Sequence, residues 1–491
     1  MFEAAEAGHR ISLEEYKVRE PALRQALLEA QYKLLETGNF PVLIIVGGAD
    51  GAGKGATVNL LNEWMDPRHI VTHAFDEPRE EEAERPPMWR FWLALPPKRH
   101  IGVMFNAWYH DILQRDDQKP RHDPAPSLDE IRNIEQMLAA DGTLLLKFWF
   151  HLSRSAQKER IKELESDPKT RWRVTDTDRQ HLRHYKRLRK TYEYVLHETS
   201  TSIAPWSVID GSDRYYRSLT AGTLLLDAIN KRLAQKRPKA APPSAQPVPT
   251  LDSRNILNTI DYTQALNKKH YQIQLEKYQG RLNLLTRHPR FARKSLIILL
   301  EGPDAAGKGG SIRRITAALD ARQYRVIPVA APTDEERTKP YLWRFWRHLP
   351  LKNHITIFDR SWYGRVLVER VEKMCSDVVC IRSFHEINDF EAQLIRNDVI
   401  VVKFWLAITK DVQLKRFRSR EETPYKQYKL TEDDWRNRRK WASYEKAVCD
   451  MVTYTSTAIS PWHLVPSNDV EFARIRILKT ICESVEAALA D

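Results

Sequence analysis

A chain of 491 residues with 42% hydrophobic content is long enough to bury two full cores. Its formal net charge of +13 suits a polyanionic partner such as nucleic acid, a membrane surface or polyphosphate, yet no apolar run approaches the length that crosses a bilayer. Four cysteines, Cys375, Cys380, Cys449 and Cys482, fit no zinc-ligand spacing and are too few for a disulfide scaffold, so reduced thiols in a cytoplasmic protein are expected.

The opening residues, MFEAAEAGHRISLEEYKVRE, read as acidic and helical and not as a signal peptide. A helical arm, LEEYKVREPALRQALLEAQYKLLETG, leads into VLIIVGGADGAGKGAT, an aliphatic strand that turns through glycines into a helix at Lys54. A second strand and an acidic loop, DEPREEEAERP, follow. Next come WRFW on a helix, a strand over His100–Phe105, a longer helical region and the strand LLLKFWFHLS. A charged helix, a basic helix and a segment opening with APW complete the set. KRPKAAPPSAQPVPT, rich in Pro and Ala and without aliphatic periodicity, reads as a linker.

The same order then returns: the arm YTQALNKKHYQIQLEKYQGRLNLLTRH, the strand and loop LIILLEGPDAAGKGGS with Lys308, the acidic APTDEERTKP and WRFW. A strand over His354–Phe358, the strand VVKFWLAIT and a segment opening with SPW follow in turn. Lys54 and Lys308 are 254 residues apart, as are Trp89 and Trp343, so the chain is an internal duplication. Alternating strands and helices predict an α/β fold in each copy, a parallel sheet flanked by helices. The expected organisation is a degenerate copy over 1–235, a linker over 236–250 and a catalytic copy over 251–491.

A strand that turns through glycines into a helix aims backbone N–H groups, and the positive end of the helix dipole, at whatever sits in the turn. Gly302, Gly307, Gly309 and Gly310 permit the tight path and a close approach of phosphate, and Lys308 reaches its terminal oxygens. The spacing from Gly302 to Lys308 is that of a phosphate loop. The usual next residue is Ser or Thr, a Mg²⁺ ligand, but here it is Gly309, so Asp304 within the loop is the expected replacement. The strand after WRFW ends in ITIFDRSWYGR, which puts Asp359 where a second Mg²⁺-ordering carboxylate belongs and adds the cations Arg360 and Arg365. Further on, QLKRFRSREETPYKQYKL reads as the basic lid that P-loop kinases close over the donor, with Arg416 and Arg420 four apart on one helix face.

Shifting back by 254 residues turns Asp359 into Phe105, Arg360 into Asn106 and Arg365 into Asp111, while Trp108 and Tyr109 still match Trp362 and Tyr363. In the lid region Arg420 becomes Leu164, between Glu163 and Glu165. The first copy thus keeps Gly48, Asp50, Gly53 and Lys54 but lacks a carboxylate and three cations, and no independent turnover is expected from it.

GPDAAGKGG, LWRFWRHLP, FDRSWYGRVLVERV, EINDFEAQL and KFWLAITKDVQLKRF together resemble the family-2 polyphosphate kinases across nearly all of the second copy, and the first copy matches more loosely. The two-copy layout is similar to the polyphosphate:AMP phosphotransferases of that family. The resemblance implies thymidylate-kinase-like P-loop domains with a helical lid. It also implies transfer of a phosphoryl group from inorganic polyphosphate to AMP, giving ADP, with Mg²⁺. It carries the family's loop Asp and Lys onto Asp304 and Lys308, its strand-end Asp-Arg onto Asp359 and Arg360, and its lid arginine onto Arg420. We further expect the acceptor phosphate near Arg344 or Arg365, the base near the WRFW helix, and self-association into a homo-oligomer. Conversion of ADP to ATP, or both steps, stays open on the motifs alone. A nucleic-acid-binding, ATP-dependent scaffold is the alternative of another class, but no recognised DNA- or RNA-binding motif is present.

Overall fold

The aliphatic run ahead of each phosphate loop becomes the middle strand of a five-stranded parallel sheet in a computed structural model that describes residues 1–114, 127–235, 255–424 and 430–490. In the first sheet the strands are β1 (Val42–Gly48), β2 (Ile70–Ala74), β3 (Ile101–Phe105), β4 (Leu144–His151) and β5 (Trp206–Asp210), in the order β2-β3-β1-β4-β5. In the second they are β6 (Ser295–Glu301), β7 (Tyr324–Pro328), β8 (Ile355–Asp359), β9 (Val399–Ala407) and β10 (Trp462–Pro466), in the order β10-β9-β6-β8-β7. The central strands β1 and β6 are buried almost throughout, as expected of strands covered on both faces. The expected linker, 236–250, and residues 425–429 of the expected lid lie outside the described residues.

The chain divides into two compact units. The first includes Pro332–Trp343 besides most of the leading copy, and the second includes Glu80–Pro86 besides most of the trailing copy. The helical arms are Leu13–Thr37 and Lys268–Thr286. The second arm starts later than expected because the Asn267 side chain accepts from the His270 N–H at 2.9 Å and caps the helix there. Among the described residues no helix is long and apolar enough to cross a membrane.

A buried ion pair recurs in both units. In the second, Lys403 on β9 and Glu391 on the helix Asp377–Arg396 are 0% and 2% exposed, with Nζ 2.7 Å from Oε2. Lys403 also donates to the Thr455 carbonyl at 2.8 Å and lies 3.0 Å from the Tyr363 hydroxyl. Glu391 Oε1 accepts from the Trp362 indole N–H at 3.0 Å and the Tyr363 hydroxyl at 2.6 Å. Burial pushes the Lys403 ammonium below its ordinary value, and the adjoining carboxylate opposes that. Lys147, Glu135, Trp108, Tyr109 and Thr199 repeat the arrangement in the first unit. The network anchors the segment immediately after β3 or β8, so the unit that lost the strand-end chemistry kept its mechanical support.

One expectation is corrected. Cys375 and Cys380 form a disulfide, with Cα atoms 6.4 Å apart, where reduced thiols were expected. The turn between the helices Val368–Val371 and Asp377–Arg396 folds the two residues together, a proximity invisible in a count of cysteines. Cys449 and Cys482 are free.

Candidate active site

In the second unit the phosphate loop follows β6, and its first glycine is required sterically. Gly302 has φ +149°, and a Cβ there would lie 2.7 Å from the Leu406 carbonyl oxygen. Gly307, at φ +108°, opens the helix Lys308–Thr316. A Cβ at Gly309 would meet nothing within 4 Å, so packing does not demand glycine there; its bare backbone leaves the helix N-terminus open to an anion. A Cβ at Gly310 would meet the Arg474 guanidinium at 3.0 Å.

Lys308 curls over the loop and donates to the Gly302 and Pro303 carbonyls at 2.7 and 3.2 Å. Burial lowers its pKa, partly offset by Asp304, with Arg360, Asp359 and Glu301 also acting on it. Asp304 accepts from Arg360 at 3.0 Å and from the Asn437 amide at 2.9 Å. Burial by itself would raise the Asp304 carboxyl, but Lys308, Asn437 and Arg360 outweigh it, and its pKa falls below the ordinary value.

Asp359 is the last residue of β8, in register with Leu300 one residue before the end of β6. Arg360 then turns the chain at φ +65°, with its N–H on the Leu300 carbonyl at 3.1 Å. A left-handed conformation in a long-chain residue costs on the order of 1–2 kcal/mol. The first unit makes the same turn with Asn106 at φ +56°, a residue that tolerates it better.

Two contributors were missed by sequence reasoning. Glu301 ends β6, is 5% exposed and accepts from the Ser361 hydroxyl at 2.7 Å. Burial raises its pKa against the pull of Ser361, Lys308 and Arg360. A charged residue closing an otherwise aliphatic strand was the available signal; its counterpart is Gly47, and that of Ser361 is Ala107. Asn437 sits on the helix Glu432–Arg439, which a Thr431–Asp434 capping box starts. Nothing local connects it with Asp304, 133 residues away.

Other expected site residues are placed differently. The Arg416 guanidinium donates to the carbonyls of Ala305, Ser467 and Asn468 at 2.8, 2.6 and 2.9 Å, so in this state it braces the phosphate loop. Arg420 lies in the last turn of the helix Lys410–Glu421, near enough that its charge, after burial, depresses the Arg416 pKa. Arg344 donates to the Ala330 carbonyl at 3.0 Å and Arg365 pairs with Glu369 at 3.2 Å. Trp343, Phe345 and Trp346 of the WRFW helix are core residues, 5%, 1% and 1% exposed, which leaves them no face for a base.

A cavity of about 110 Å³ opens instead beside the loop, walled by Trp405, Trp441, Tyr444, Leu257 and Val448 and floored by Asp304 and Arg360. Neither Arg344 nor Arg365 lines it. The carboxylates Asp304 and Asp359, flanking one phosphate loop, are hard oxygen donors of the kind a divalent cation takes.

In the first unit Lys54 donates to the Gly48 and Ala49 carbonyls at 2.5 and 3.2 Å, so the loop keeps its form. Asp50, however, is paired with His181 at 2.5 Å, the residue standing where the second unit has Asn437. The hydrogen bond to Asp50 raises the His181 pKa; burial would raise that of Asp50, but His181 and Lys54 bring it below the ordinary value. A raised histidine contributes its full stabilisation below its unfolded value of 6.5 and loses it as pH climbs through the folded value. The stability advantage of the native chain over His181→Asn should therefore shrink over the range in which pH rises from 6.5 through the raised folded value. Thermal melts of both proteins across that range measure it, and a constant difference would refute the ion pair.

A family model for polyphosphate kinase 2 matches residues 10–237 and again 265–491. A polyphosphate:AMP phosphotransferase of Pseudomonas aeruginosa PAO1 is 51% identical over 99% of both chains. One from Acinetobacter johnsonii is 35% identical over 96% of this chain and 97% of its own. A crystal structure of a Pseudomonas aeruginosa PA01 protein assigned to polyphosphate kinase 2 superposes with a TM-score of 0.90 at 48% identity, covering both chains completely. With the loop, the strand-end Asp-Arg and the duplicated sheet all in place, the chain belongs to the polyphosphate kinase 2 family.

Proposed function

We propose that the second unit transfers the terminal phosphoryl group of inorganic polyphosphate to AMP, giving ADP. The observation that carries this is the convergence of Lys308, Asp304 and Arg360 on one phosphate loop beside an aromatic-walled cavity. The names of the full-length relatives favour AMP as acceptor.

In this reading the acceptor nucleoside lies in the cavity against Trp441 and Tyr444, a flat apolar slot suited to a purine. An oxygen of the AMP phosphate attacks the terminal phosphorus of the donor, and the bond to the bridging oxygen breaks, leaving the polymer one unit shorter. Lys308 and the loop N–H groups hold the transferring oxygens. Arg360, freed from Asp304, neutralises charge that develops on them. Arg420 closes over the donor and Arg416 keeps the loop braced beneath it. Asp304 and Asp359 would hold Mg²⁺, which when bound would supply charge neutralisation at the reacting phosphates. The first unit, with Phe105 and Asn106 in place of Asp359 and Arg360, does not turn over.

The test mixes enzyme, polyphosphate and Mg²⁺ with AMP or ADP in turn. Loss of AMP with matching gain of ADP is expected; ATP formation from ADP with AMP untouched would overturn the acceptor assignment. Asp359→Asn, which keeps shape and removes charge, should cut the rate about a hundredfold and raise the Mg²⁺ concentration needed for half-maximal rate. An unchanged rate and Mg²⁺ titration would make Asp359 merely structural.

A further inference from the structure

The cavity beside the second unit's loop has a counterpart in the first unit, and there it is full. Trp149, His151, Tyr185, Leu188 and Tyr192 stand where the second unit has Trp405, Ala407, Trp441, Tyr444 and Val448. The space left beside Asp50, among His151, Tyr185, Leu188 and Tyr192, is about 10 Å³, against about 110 Å³ in the second unit.

The segment Phe2–Glu6 packs against this wall, where His151 and Tyr192 are also bulkier than Ala407 and Val448. Phe2 is 0% exposed, and its ring stacks on His151 with centroids 4.1 Å apart and planes 6° from parallel. Trp149 lies beyond at 6.3 Å, and the Arg189 guanidinium is 5.6 Å from the Phe2 centroid. Four residues on, Glu6 Oε1 lies 3.0 Å from His151 Nε2, accepts from Arg189 Nε at 3.3 Å and lies 3.5 Å from the Tyr185 hydroxyl. A flat ring between aromatic and cationic partners, tethered to an anion held by cations, has the chemistry of a nucleoside monophosphate. His151 is 2% exposed, and its Nδ1 has no hydrogen-bond partner among the described residues, so the site offers a buried polar atom that the segment does not use. The phosphate loop next to it keeps Lys54 and its glycine turns, Gly48 at φ +143° and Gly53 at φ +82°.

We propose that the first unit contains a second nucleoside-monophosphate site, kept shut by its own Phe2–Glu6 segment as an internal occupant. This rests on the reading of the second-unit cavity as the acceptor pocket. The ligand class is a purine nucleoside monophosphate, bound without turnover because the strand-end Asp-Arg is absent.

The experiment is AMP binding to the full chain by titration calorimetry, without polyphosphate. The native protein should bind one AMP per chain at a site weakened at least tenfold by Tyr444→Ala. Phe2→Ala combined with Glu6→Gln should bind two, and Phe2→Ala alone should show the second site more weakly. Adding Lys54→Ala to either should return the count to one. A count of one in the folded variants, with the native site sensitive to Tyr444→Ala, overturns this proposal alone. A native site indifferent to Tyr444→Ala overturns the acceptor-pocket reading instead. Amide hydrogen exchange on the unaltered chain supplies an arm that needs no variant. AMP far above the concentration that fills the native site should speed exchange across the Phe2–Glu6 segment several-fold by competing for its place, and equal protection with and without that excess counts against the proposal.

Discussion

Lys308→Ala should abolish useful turnover while leaving the protein folded. The Lys308 ammonium is half-buried, 2.7 Å from the Gly302 carbonyl and 3.2 Å from that of Pro303, and in the proposed mechanism it exchanges those oxygens for phosphate. Alanine removes the one loop cation. Losing such a preorganised contact in a water-poor site costs about 3 kcal/mol or more of transition-state stabilisation, about a hundredfold in rate. Stability should change little, because the side chain contacts the loop and not the aliphatic core. Lys54→Ala is the internal control and should leave the rate within about twofold of native, since Phe105 and Asn106 stand where the second unit has the proposed metal-holding carboxylate and its cation. Steady-state AMP-to-ADP conversion, with circular dichroism to verify folding, decides it. Near-native turnover by folded Lys308→Ala would remove the second loop from the mechanism.

Lys403→Met should cost the second unit about 3–5 kcal/mol, the usual consequence of leaving one partner of a buried ion pair uncompensated. Glu391 would remain 2% exposed with its Oε2 facing a thioether in place of an ammonium 2.7 Å away. Tyr363 and Trp362 hang from that carboxylate, two residues beyond the Asp359–Arg360 pair, so activity should fall along with stability. The effect should be read from the urea transition of the second unit and not from one overall midpoint, because two units need not unfold together. An unshifted transition would mean that the network adds nothing, as some buried pairs do when replaced wholesale by apolar residues. The contrast between the two substitutions separates chemistry from scaffold: one lysine is proposed to hold substrate, the other supports the segment that follows Asp359 and Arg360.

Much of the site was legible before any coordinates, because its parts are local. A phosphate loop is made of consecutive residues, and its glycines, lysine and preceding strand occupy one short stretch from Leu296 to Gly310. Asp359 was readable for the same reason, since an apolar run closing on Asp-Arg marks the exit of a parallel strand, and β8 ends there. The duplication exposed which copy had lost what. Arg416 and the WRFW helix were harder. Charge on a helix face and aromatic richness each look the same whether the group meets ligand, a backbone carbonyl or the core. Only the fold showed Arg416 committed to three carbonyls and Trp346 1% exposed.

By itself the sequence determined the repeat, the two parallel α/β sheets, the phosphate loops and the asymmetry between Asp359 and Phe105, since each is carried by short-range pattern or by register between copies. The tertiary structure alone decided that Asn437 and His181 reach the loop aspartates, that Lys403 is neutralised by Glu391, that the open cavity lies against Trp441 and Tyr444, and that Phe2 occupies its twin. These contacts join residues as far apart as 149 positions, between Phe2 and His151. Their partners are chosen by how helices pack onto a finished sheet, and a one-dimensional periodicity carries no record of that choice.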